Sequence, residues 1–143
     1  MIRRTLTSEA LFRKPQGGNV HAKKIESEST MGNETWIIET GDAVIQKMGR
    51  SDTRNLAPLE TLIYCVWVAD YGMRNAGDLD SAKDVYSRFH SKARQIAEEL
   101  SLPLTYQAFA LKKSELEQQY FDRFDTMVDE IKHAYASSPR IDA

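Results

Sequence analysis

The amino-acid sequence predicts an all-α protein, a compact bundle of four to five helices around a central apolar helix at about residues 58–75, preceded by a mobile N-terminal arm. Three observations carry that prediction. Inside residues 59–73 runs one unbroken apolar stretch, Leu62, Ile63, Tyr64, Cys65, Val66, Trp67, Val68 and Ala69, and a segment apolar on all sides belongs at the centre of a fold. The segments beside it repeat their apolar residues at three- and four-residue intervals, which is the spacing of one helix face. No two stretches make a convincing strand pair, and helices without strands bury their apolar faces against one another as bundles.

The chain has 143 residues, 41% hydrophobic and 28% charged, which suits one soluble domain with a proper core. Residues 34–139 are read as that domain, with an arm at 1–33 and a short tail at 140–143. The arm holds Pro15, Gly17, Gly18 and Gly32 and few large apolar side chains, too little to offset the entropy of ordering it. It also carries the basic excess, since residues 1–50 have eight Lys and Arg against six Asp and Glu.

From residue 34, Trp36, Ile37, Thr40, Val44 and Met48 recur at helical spacing, with Asn33 as cap and Gly49 as stop. Gly41 weakens the middle of that helix by up to about 1 kcal/mol relative to alanine. A polar loop at 50–57 leads to the central helix. There Pro58 suits a first turn, Glu60 favours the positive end of the helix dipole, and no turn residue appears before Gly72. The β-branched Ile63, Val66 and Val68, with residues 36–40 as a partner, leave a strand as the alternative. Within the helical reading, Trp67 is expected to be almost wholly buried, and Trp67→Ala to cost about 3 to 5 kcal/mol.

Asn75, Ala76 and Gly77 end the central helix. Asp78 or Asp80 then caps one long amphipathic helix whose face is Leu79, Ala82, Val85, Tyr86, Phe89, Ala93, Ile96, Ala97 and Leu100. Pro103 closes it. A short helix over 105–111 turns Tyr106 and Phe109 inward. Ser114 and Glu117 have the spacing of a capping box and open the last helix, with the stripe Leu116, Tyr120, Phe124, Met127, Val128, Ile131 and Tyr135.

Several constellations bear on chemistry. Cys65 is the only cysteine, so there is no intrachain disulfide and no zinc site of several thiolates; inside the apolar run it reads as a buried small hydrophobe. Glu130 and His133 have the Glu-x-x-His spacing of di-iron bundles, yet the second copy such a centre needs is missing. Neither a Gly-x-Ser-x-Gly turn nor a Gly-Lys-Ser/Thr phosphate loop is present. Asp70 and Arg74, four apart in the central helix, read first as an internal salt bridge, because half-buried charge has to be matched. In the last helix Asp122, Asp125 and Asp129 share one polar sector, with steps of about 4.5 and 6 Å along the axis, and read first as a solvated face.

Leu56, Ala57, Pro58, Leu59 and Glu60 at a leucine-led acidic helix start, the turn at Asn75, Ala76 and Gly77, and a closing helix with Leu116, Glu117, Tyr120, Phe121 and a Ser-Pro end come in an order that resembles a bacterial all-helical domain family of unknown function, one of whose members is a DNA mimic protein. The resemblance spans about residues 56–140. It departs after the turn, where Asp78, Leu79, Asp80, Ser81 and Ala82 replace the family's glutamine and aromatic cluster. It implies a compact helical domain, often self-associating and without known catalysis. DNA mimicry does not carry over, because a mimic needs a large negative surface and this chain has a net charge of −2 with 19 basic residues.

The expected function is that of a cytoplasmic, non-catalytic protein-interaction module that binds another protein or itself as a homodimer. No catalytic residue, cofactor, metal site, direct nucleic-acid contact or membrane contact is expected. Two alternatives stand beside it. One is a small-molecule-binding or enzymatic bundle with a pocket lined by Tyr64, Asp70, Tyr71, Arg74 and His90. The other is an acidic-surface regulator that docks a basic protein through Asp122, Asp125 and Asp129.

Overall fold

A computed structural model describes residues 32–138. The arm expected over 1–33, apart from its last two residues, and the tail at 140–143 lie outside the described residues. Among the described residues there are six α-helices and no strand: α1 (Asn33–Met48), α2 (Pro58–Ala76), α3 (Asp80–Val85), α4 (Phe89–Glu99), α5 (Pro103–Phe109) and α6 (Lys113–Ser137), with a 3-10 turn at Asp52–Asn55. The all-α bundle is as expected. The strand alternative for the apolar run falls away.

Helix α2 starts where the sequence indicates. Pro58 occupies its first turn and the Glu60 carboxylate accepts the Ala57 N–H at 2.9 Å. Gly77, at φ 77°, takes the left-handed position that ends it. Helices α1, α3, α4 and α6 all pack on α2, and Leu62, Ile63, Cys65, Val66, Val68 and Ala69 are completely buried. Helix α5 bridges α4 and α6.

Helices α1 and α2 form an antiparallel hairpin pinned at both ends. Lys47 pairs with Glu60 at 3.0 Å at one end, and Glu34 approaches Arg74 at 3.6 Å at the other. Between these pins, Trp67 departs from expectation: it is only partly buried. Its ring lies flat between Tyr64 and Tyr71, with centroids 6.2 and 5.9 Å away, and so extends along the flank of the hairpin instead of into the core. The large fully buried side chains are instead Tyr120, Phe89 and Phe109.

Gly41 has a purpose that helix propensity alone hides. It is buried, and a Cβ there would lie 2.3 Å from Trp67 Cδ1, 2.7 Å from Cγ and 2.9 Å from Cβ. The absent side chain is the socket that receives the root of the indole. Gly72 does the same on another side of α2, where a Cβ would meet the Asp78 carbonyl oxygen at 2.9 Å and the Ala82 nitrogen at 3.1 Å, so α3 crosses α2 almost backbone to backbone.

The long amphipathic helix expected over residues 79–100 is two helices. At Tyr86 the backbone is extended, φ −150° and ψ 99°, and this sends the Tyr86 ring against Tyr64 at 5.3 Å. One straight helix has one core-facing direction. The break lets Leu79 and Ala82 face the core from α3 and Phe89, Ala93, Ile96 and Ala97 from α4, while Val85 is released to solvent. The capping box expected from Ser114 and Glu117 is also displaced: α6 begins at Lys113, and Glu115 accepts the Lys112 N–H at 3.3 Å.

Gly41→Ala should destabilise the protein by about 1 to 3 kcal/mol through overpacking, outweighing the gain of up to about 1 kcal/mol in helix propensity. Combining it with Trp67→Leu should recover part of that loss. Denaturant midpoints of the two variants decide it, and a Gly41→Ala protein more stable than the parent would refute the socket.

Candidate functional site

Asp70 and Arg74 lie one turn apart on α2, and the structure closes a network around them. Arg74 Nε donates to both Asp70 oxygens, at 3.0 and 3.1 Å, and the Tyr120 hydroxyl donates to Asp70 Oδ1 at 2.7 Å. Asp70 is only 4% exposed. Burial pushes its carboxyl up, while the bonds from Tyr120 and Arg74 pull it down and Glu34 raises it slightly. The same burial, with the Asp70 charge beside it, raises the Tyr120 hydroxyl well above its ordinary range, so it keeps its proton and donates. The Arg74 guanidinium lies 5.0 Å from the Phe121 ring centre and 4.9 Å from that of Phe124, a cation over two aromatic faces.

The residues read as lining one pocket are divided among three environments. Asp70 and Arg74 meet Tyr120 of α6. Tyr64 and Tyr71 belong to the aromatic row with Trp67 and Tyr86. On α4, His90 Nε2 is 2.9 Å from the Leu111 carbonyl, between Phe89 and Phe109. The Cys65 thiol is buried and pushed up to about 12 by that burial, which keeps it protonated and unreactive.

The carboxylates of α6 also divide. Glu117 Oε2 accepts the Leu79 N–H at 2.8 Å and is joined by Lys113 at 3.2 Å, which itself reaches Asp80 at 3.0 Å. Glu130 accepts the backbone N–H groups of Leu104 and Thr105, at 2.9 and 2.8 Å, and the Thr105 hydroxyl at 2.7 Å. Each glutamate therefore satisfies free amides at the start of a short helix whose own N-cap, Leu79 or Leu102, has no side-chain acceptor. Of the acidic stripe, Asp125 and Asp129 both accept from Asn33 Nδ2, at 3.0 and 3.1 Å, while Lys132 donates to Asn33 Oδ1 at 3.0 Å. Asp122 is exposed.

Beside this face is a groove of about 530 Å³ between the start of α5 and the outer side of α6. Ser101, Leu102 and Leu104 form one wall, and Thr126, Asp129, Glu130, His133 and Ala134 the other. The sequence singles out Asp129 for its place in the stripe and Glu130 and His133 for their spacing, but the groove appears only when α5 docks. The signal that was present is the common helical face of Asp122, Thr126, Asp129 and His133. Among the described residues no cluster of three or more His, Cys, Asp and Glu is arranged to hold a metal ion, and no helix is long and apolar enough to cross a membrane. No family model, characterised protein or solved structure matches the chain.

Tyr120→Phe removes a bond to a buried carboxylate and should cost about 1.5 to 3 kcal/mol. It should also raise the Asp70 carboxyl further, because a bond that favours the ionised form is gone. The sign follows from linkage: a native carboxyl above its unfolded value binds its proton more readily in the folded state, so stability falls as pH climbs from the unfolded value through the native one and returns on acidification. A carbon-detected NMR titration of Asp70 in both proteins measures the shift, and identical curves would refute the bond. Glu130→Ala strips the cap from α5 and should cost about 1 to 3 kcal/mol, with amide exchange rising first at Leu104 and Thr105.

Proposed function

We propose that this chain is a non-catalytic protein-interaction module. The supporting observation is how its side chains are divided. Several groups able to do chemistry are engaged in holding helices together: Asp70 with Arg74 and Tyr120, Glu117 and Glu130 at helix starts, His90 at the Leu111 carbonyl. Large aromatic groups are meanwhile left at the surface. Phe121 is 50% exposed and Tyr71 37%, and both neighbour Arg74, Phe121 beneath its guanidinium and Tyr71 one turn before it on α2. Tyrosine and arginine beside an exposed aromatic are the residue types that anchor protein interfaces, since they bring large contact area together with polar ends.

A pocket at Asp70 and Arg74 is the less favoured reading, because the carboxylate and the guanidinium already occupy each other and the space is shared with Tyr120, Phe121 and Phe124. Self-association, which the resemblance to the helical family implies, is one form the interaction takes in this proposal; a different protein is the other.

Sedimentation of the purified protein, and cross-linking in cells followed by identification of the captured chains, test the reading. The expected result is a dimer or a reproducible partner that is lost in a folded Tyr71→Ser, Phe121→Ser double variant. A monomer without partners, or a partner retained at full strength by the double variant, would count against it.

A further inference from the structure

The groove between α5 and α6 has features that select a partner chemistry. Among the described residues its lining includes the carboxylates of Asp129 and Glu130 and neither lysine nor arginine. Its apolar wall is open to solvent, with Leu104 42% exposed beside the buried Leu102. Both carboxylates are held in place, Glu130 by three donors from α5 and Asp129 by Asn33, so neither has to be ordered when a partner arrives.

Resting on the interaction reading above, we infer that this groove seats a lysine- or arginine-bearing apolar segment of a partner protein. The match is one of shape and charge together. The aliphatic stem of a long basic side chain covers apolar surface while its charged head stays polar, here with the stem along Leu102, Leu104 and Ala134 and the head at Asp129. An acidic segment, or a nucleic-acid backbone, would bring like charge against both carboxylates. At about 100° per residue, Asp122, Thr126, Asp129 and His133 fall within roughly one narrow sector of α6, whereas Asp125 turns away by about 60° from Asp122 and is bonded to Asn33. The three aspartates are thus not equivalent: Asp129 lines the groove and touches the occupant while also holding Asn33, Asp122 extends the negative potential one turn beyond Thr126, and Asp125, outside the lining, serves only the anchoring of α1.

The test is a fluorescence-anisotropy titration of the full chain with a labelled amphipathic lysine–leucine peptide and with its glutamate–leucine counterpart. Saturable binding of the lysine peptide alone is expected, weakened roughly tenfold by Leu104→Ser and by Asp129→Asn, and less than about threefold by Asp125→Asn. Raising the ionic strength to about 1 M, where the screening length is about 3 Å, should weaken it further. Thermal midpoints keep the comparison to folded proteins, and Leu104→Ser, at an exposed position, serves where Asp129→Asn loosens α1. Equal binding of both peptides, no saturation, or an Asp125→Asn effect as large as that of Asp129→Asn would overturn the inference. Its failure is separable from that of the interaction reading: a cellular partner kept by a Leu104→Ser, Asp129→Asn variant but lost with Tyr71 and Phe121 leaves the module and removes the groove.

Discussion

A helix apolar around its whole circumference has to be covered on every side, and the architecture of this protein follows from covering α2. Four helices pack on it, and two of the six helices, α3 and α5, are only six and seven residues long. Helices of that length do not persist alone, because nucleation is costly and the first amides have no intrahelical partner. Helix α5 brings no capping side chain of its own, and at α3 Asp78 Oδ1 accepts the Asp80 N–H at 3.0 Å, as expected of Asp78, but leaves that of Leu79. The deficit is met from outside by α6, which at 25 residues is long enough to pass both helix starts and places Glu117 at one and Glu130 at the other. The long closing helix is therefore a support for the short ones as much as a layer of the core.

The second constraint is Asp70, the more deeply buried of two carboxylates, Glu60 being the other, that the described residues draw into the fold. An isolated buried charge is expensive, and a buried pair returns its desolvation cost only with good geometry and further hydrogen bonds. Asp70 has both, from Arg74 on its own helix and Tyr120 on α6. A slide of α6 by one turn would take the Tyr120 bond from the carboxylate and leave it Arg74 alone, whereas apolar contacts tolerate such shifts more readily. The same network reaches α1 through Glu34, so one cluster relates three helices, and the aromatic faces of Phe121 and Phe124 complete its shielding.

Much of the fold was legible in the residues. The bounds of α1 and α2 follow from Asn33, Gly49, Pro58 and Gly77, and the buried stripe of α6 from Leu116 through Ile131 matches its periodicity residue by residue. What escaped was tertiary in origin. Nothing in Val85, Tyr86 and Ser87 is a strong helix breaker, and the interruption there becomes favourable only once Tyr86 can lie against Tyr64. Gly41 reads as a flaw until Trp67 is placed against it. Trp67 itself sits in the most apolar stretch of the chain and still emerges at its flank, because a run apolar on all sides does not say which side is covered by the thinnest neighbour. Of the candidate site residues, the Asp70 and Arg74 pairing was readable from a four-residue spacing, but the contribution of Tyr120, 50 positions away, was not.

The acidic face of α6 shows why spacing is a poor guide to function in charged helices. Asp122, Asp125 and Asp129 look alike as a row of carboxylates, while spacing assigns Glu117 to a capping box with Ser114 and Glu130 to a Glu-x-x-His pair. In three dimensions the two glutamates satisfy backbone amides, Asp125 and Asp129 receive Asn33, and Asp122 is exposed. The bonds they accept hold these carboxylates in place, so rigidity is added to them. On this helix the demands of the fold fix carboxylates in position along one open groove, and fixed charge beside exposed apolar surface is what the proposed docking would read, by sign as well as by shape. Glu130 caps α5 and lines the groove with the same side chain.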